Sequence, residues 1–159
     1  MEGKELSVTL REMARGMGLC DEWYGKWADD TDIDTLLEKY IAGIDFCTEK
    51  DYPSLEFARK YFSSKQMKEA LHRHNIYLDE EVNVVDDKSG VWVLLGKCSG
   101  RITLNGWAVA NVHVRHESNV RIDAEDLSRV FVWLYEDSES ETRAQFGSMI
   151  KVYDFRHRQ

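Results

Sequence analysis

From Leu94 to Leu134 the chain keeps one alternation without a break. Even positions carry Leu94, Ile102, Leu104, Val112, Val114, Val120, Ile122, Val130, Val132 and Leu134, with Gly, Ala, Ser and Cys between them. Only His116 and Asp126 depart from apolar or small. Odd positions carry most of the charge. A period of two is the mark of a strand. One strand of this length would extend on the order of 130 Å, far beyond what a small domain holds, so the chain must bend repeatedly. Hairpin bends need turn pairs such as Asn-Gly. Asn105-Gly106 is one, and none follows between Trp107 and Tyr135. Bends that spare the alternation, with small residues at crowded corners (Gly106, Ala108, Ala110, Ser118, Ala124, Ser128), predict a β-solenoid. An offset of 18 residues aligns Val84 with Ile102 and Val120, and Leu94 with Val112 and Val130, predicting about three coils of 18 residues. The alternative is an antiparallel β-sandwich with a helical cap.

Before residue 79 the period is helical. Leu6, Leu10, Met13, Ala14 and Met17 form one stripe, and Trp23 and Trp27 lie four apart. Thr31 or Asp32 can cap a helix whose stripe is Ile33, Leu36, Leu37, Tyr40, Ile41 and Ile44. Pro53, the only proline, ends that run. Ser54 and Ser64 are N-caps of two further helices, and Asn75 is a left-handed stop. The expected class is therefore α+β. A helical subdomain at 1–78 caps one open end of a solenoid at 79–155, and 156–159 is a tail.

The phrases HESNVRIDAEDLSRVFVWLYEDSE and CSGRITLNGWAVANVHVRHES carry Ser/Asn-x-Val-x-Val/Ile-x-Ala runs about every nine residues. They resemble an uncharacterised family of prophage and mobile-element proteins of gut bacteria, as does EKYIAGIDFCTEKDYPSLEFARKYF. The resemblance covers roughly residues 19–154. It implies a helical head, a β-solenoid and fewer coils than the longer members have. It brings no catalytic or binding residues.

Net charge is −8 over 159 residues, with acidic runs at Asp29–Asp34 and Glu136–Glu141. No basic face is visible, which argues against nucleic acid and anionic membranes as partners. Three separated cysteines, Cys20, Cys47 and Cys98, read as free thiols in a reducing compartment. MEGKELSVTL lacks the apolar core of a secretory signal, and no apolar run is long enough to span a membrane. The expectation is a cytoplasmic protein.

No motif is a chemical signature. His72 and His74 lie two apart, and His113 and His116 differ in parity, so neither pair suits one metal ion. His157 stands alone in the tail. Asp123 and Glu125 are outward neighbours, as carbohydrate-cleaving solenoids require, yet any solvated strand shows the same. No catalytic residue, metal ligand or cofactor is assigned. With the 18-residue offset, Leu95, His113 and Phe131 form an outward ladder near Trp133 and Tyr135. Trp92 and Trp107 are further outward aromatics. Leu95, His113, Phe131, Trp133 and Tyr135 are thus the candidate binding face. The expected function is a non-enzymatic structural or protein-interaction module engaging a protein partner or a second copy. The alternative is a small solenoid enzyme, acyltransferase-like or carbohydrate-active.

Overall fold

A computed structural model describes residues 3–156. The chain forms two compact units, one ending at His74 and one starting at Asn75.

The first unit is helical. Helix α1 (Gly3–Gly16) buries Leu6, Leu10 and Ala14 of the predicted stripe, whereas Met13 is half-buried and Met17 lies exposed past the helix end. Helix α2 (Asp21–Gly25) stops before Trp27, so the two tryptophans do not share a helical face. Trp27 is instead buried, its indole N–H donating to Ser7 Oγ at 3.1 Å. Asp32 caps α3 (Ile33–Ala42), accepting from the Thr35 amide at 2.7 Å. Gly43 then divides the predicted long stripe, and α4 (Ile44–Lys50) follows. Ser54 and Ser64 accept from the Phe57 and Met67 amides, both at 3.2 Å, opening α5 (Leu55–Tyr61) and α6 (Lys65–Arg73). The Tyr52 hydroxyl donates to the Leu10 carbonyl at 2.7 Å, tying the segment before α5 to α1.

The second unit is a parallel β-solenoid of about four turns. Its strands are β1 (Ile76–Leu78), β2 (Glu81–Asp86), β3 (Gly90–Leu95), β4 (Ser99–Leu104), β5 (Val109–Val114), β6 (Asn119–Ala124), β7 (Arg129–Leu134), β8 (Glu139–Ala144) and β9 (Met149–Asp154). Odd-numbered strands stack into one sheet and even-numbered strands into the other, every neighbour parallel. The sandwich alternative required antiparallel neighbours and is not what the chain forms. Strand β1 shows that the solenoid begins at Ile76, just after Asn75 turns left-handed at φ 59°.

Parity is held throughout. Val82, Ile102, Ile122, Leu104, Ala110, Val112, Val130 and Val132 all lie in one dry interior. Like residues stack rung over rung: Ile102 on Ile122, Val112 on Val132, and Leu104 on the smaller Ala124. Trp92 is even-numbered and also sits in this core, wholly buried, rather than among the outward aromatics expected from the sequence.

The coil length differs from the predicted 18. The register is 17 residues from β1 to β3 and 18 from β2 to β4, then 20 for every later pair. The connections explain the change. Two residues join β1 to β2 and three join β2 to β3, whereas four residues form each turn from 105–108 onward. The first four of those turns are built alike. The second residue is left-handed: Gly106 at φ 62°, His116 at 58°, Asp126 at 57° and Glu136 at 52°. The fourth, Ala108, Ser118, Ser128 or Ser138, is buried inside the corner, and its amide bonds back to the first residue's carbonyl. The bends thus do use turn conformations, and after Asn105-Gly106 they do so without Asn-Gly. Side chains bridge successive coils in place of that signal. Asp126 accepts from the Gly106 amide at 2.8 Å, His116 Nδ1 from the Gly96 amide at 3.0 Å, and Glu136 from the His116 amide at 3.1 Å. The left-handed penalty of a non-glycine residue, roughly 1 kcal/mol, is offset by each such bond.

Candidate functional site: the outer surface of the solenoid

With a 20-residue rung, the outward ladders are redrawn. On the odd-strand sheet, Val93, His113, Trp133 and Tyr153 stand in one column, and Val91, Asn111, Phe131 and Lys151 in the next. Leu95 and His113 therefore do not share a ladder. Leu95 sits at the end of β3 and is buried, and His113 is only 4 % exposed, so neither offers surface to a partner. Phe131, Trp133 and Tyr135 are half-buried.

These rings form a rack. His113 lies parallel to Trp133 at 5.7 Å, Trp133 to Tyr153 at 4.2 Å, and Tyr135 to Phe155 at 5.8 Å. Parallel in-register strands impose this stacking, because each coil sets the next ring about 4.8 Å above the last. Polar atoms are used internally. His113 Nδ1 meets the Tyr135 hydroxyl at 3.0 Å, and the Trp133 indole N–H donates to Asn111 Oδ1 at 3.1 Å. Arg115, only 1 % exposed, holds Glu136 through two bonds of 3.0 and 3.3 Å. Burial, with the positive Arg115 guanidinium adding to it, lowers the His113 pKa to about 4. This imidazole is neutral at physiological pH.

The even-strand sheet carries a charge ladder. Asp123 stands between Thr103 and Arg143, not above Asn105 as the 18-residue offset places it, and is paired with both Arg101 and Arg121. It is buried beneath these guanidiniums. Glu125 opens the next turn, and its carbonyl accepts from Ser128. A carboxylate caged by two arginines on a sheet surface is poorly placed to shuttle protons. The histidines are likewise occupied: His74 Nε2 lies 2.8 Å from Asp34, and His116 takes the Gly96 amide. His157 lies outside the described residues. Cys47 and Cys98 are buried, and burial raises the Cys98 thiol, so it is a core residue.

Three large, exposed apolar groups lie along one corner. Trp107 is 79 % exposed, Leu127 45 %, and Phe146 fully exposed. They occupy successive turns on the side where even strands pass to odd strands. Val109 continues the patch at the start of β5. The opposite corner has Lys97, Glu117 and Asp137 at the corresponding third turn position, all exposed. The turn at 145–148 differs from the rest: Gly147, not Phe146, has positive φ, and a Cβ there would meet Asp126 O at 3.1 Å. Leu127 and Phe146 were legible through the ten-residue recurrence of the turn quartets NGWA, RHES, EDLS, YEDS and QFGS. An 18-residue offset hid that recurrence.

No helix among the described residues is long and apolar enough to cross a membrane. Comparison of the chain with family models, with curated proteins and with solved structures gives no match.

Proposed function

We propose that this chain is a non-enzymatic structural and protein-interaction module, and that it grips a protein partner along the outer corner of its solenoid. The observation that carries this reading is the asymmetry of the two corners. Corresponding turns present Lys97, Glu117 and Asp137 on one side and Trp107, Leu127 and Phe146 on the other. Solvent contact alone favours charge at such positions, so three large apolar groups in a row on one corner need a second surface to lie against. The half-buried rings of Phe131, Trp133 and Tyr135 add aromatic area on the adjoining sheet. The caged Asp123 lends no support to a carbohydrate-active site, and a partner protein is the better fit to a convex edge.

Affinity capture with the full chain as bait, wild type against a Trp107→Ser/Phe146→Ser double variant, tests this. The expected result is one protein retained stoichiometrically by the wild type and lost by the variant. Equal capture by both, or no specific capture by the wild type, overturns the reading.

A further inference from the structure

We propose that two copies of this chain join end to end, strand β8 of one pairing antiparallel with β8 of the other across a two-fold axis at Thr142. Among the described residues no strand pairs with the outer edge of β8. The Glu139 and Gln145 amides donate to Ser118 and Ala124 of the coil below. Alternation along the strand therefore aims the amides and carbonyls of Ser140, Thr142 and Ala144 at the open edge. An edge of unpaired donors and acceptors is a template for another strand.

The register follows from charge. The outward side chains of β8 include Glu141 and Arg143, both exposed, on either side of the inward-facing Thr142. An axis at Glu141 would set glutamate against glutamate, and one at Arg143 would set arginine against arginine. An axis at Thr142 sets each Glu141 opposite the other copy's Arg143. It also pairs Thr142 with Thr142 and Ser140 with Ala144, so the edge groups meet in hydrogen-bonded pairs. Glu141 and Arg143 then occupy the closer, non-hydrogen-bonded positions. The last described coil has apolar surface to cover as well: Val152 is exposed and Ile150 is incompletely buried, whereas the matching Val132 and Val130 one coil below are wholly buried. A symmetric contact of this kind closes at two copies. It does not rest on the partner corner proposed above: Trp107 and Leu127 lie on lower turns, and Phe146, in the turn that follows β8, takes no part in the pairing of Ser140, Thr142 and Ala144.

The test is solution mass of the full chain by sedimentation equilibrium across a concentration series. Wild type is expected as a dimer. Glu141→Arg and Arg143→Glu each replace two attractive pairs with repulsive ones and weaken association at least about tenfold. The two single variants mixed in equal amounts regain the dimer, since each supplies the charge the other now needs, and so does the double reversal. Recovery on mixing also shows that both variants are folded. Trp107→Ser leaves the mass unchanged. A monomeric wild type, single variants that associate as wild type does, or a mixture that stays monomeric each overturns the proposal. Loss of partner capture with the dimer intact would separate the failure of the corner reading from this one.

Discussion

Replacing Gly100 by alanine probes how closely the first coils are pressed together. Gly100 lies over Val82 in the parallel register, at φ 115°. A Cβ added there falls 2.0 Å from the Val82 carbonyl oxygen and 2.9 Å from its carbonyl carbon and its nitrogen. A backbone position this far into positive φ costs a non-glycine residue about 1–3 kcal/mol by itself. The contact adds more. The Val82 atoms are backbone, so no side chain can swing away, and β2 and β4 must part by over an ångström. That breaks the hydrogen bonds beside Val82, at about 1 kcal/mol each. Gly100→Ala should therefore cost at least about 3 kcal/mol, a large share of a domain's usual 5–15 kcal/mol. Gly106→Ala supplies the comparison. Its φ of 62° is shared by three non-glycine residues in equivalent turns, and the nearest atom, Asp87 Cβ, is 3.4 Å away. Its cost should be about 1 kcal/mol. Urea unfolding followed by the β-sheet circular dichroism signal reads both, because all strands belong to the solenoid unit. If the two variants unfold within about 1 kcal/mol of each other, the close approach of these coils is wrong.

His113 makes the solenoid sensitive to acid. Its folded pKa of about 4 lies below the ordinary 6.5. The unfolded chain therefore binds a proton that the folded one refuses. The stability it protects is complete above pH 6.5 and declines as pH falls toward 4, by about 3 kcal/mol in all. Urea midpoints at pH 7.5, 5.5 and 4.5 should show this slope, and His113→Gln should flatten it. Asp126→Ala removes the bond to the Gly106 amide while keeping an unfavourable left-handed residue, so a loss of about 1–2 kcal/mol is expected in the same assay. Asp126→Gly restores the backbone freedom and should recover part of that loss.

The interior was legible in the sequence because parity is a local property. Whether Val112 or Ile122 faces inward depends only on counting by twos from a neighbour, and no long-range pairing enters. The helix caps were legible for the same reason: Asp32, Ser54 and Ser64 act on amides three residues away. Trp27 and the break at Gly43 were not, since both depend on tertiary packing rather than on the helical period.

The candidate surface was harder to read, and the reason lies in the arithmetic of the rung. A coil of 18 and a coil of 20 residues differ by an even number, so both leave every inward residue inward. Alternation cannot distinguish them. Yet the shift of two moves each outward side chain to a different neighbour, replacing a ladder of Leu95, His113 and Phe131 with one of His113, Trp133 and Tyr153. It likewise takes Asn105 away from Asp123 and puts Thr103 there. The length of a coil is set where the chain turns, by how many residues the corner needs to reverse direction. The first connections use two or three, and β2 over β4 does obey 18. Once a left-handed residue and a buried Ala or Ser complete the corner, four are needed and the rung lengthens to 20. Core and surface of a solenoid are thus written in different residues: the strands specify which side is dry, and the turns specify which outward groups meet.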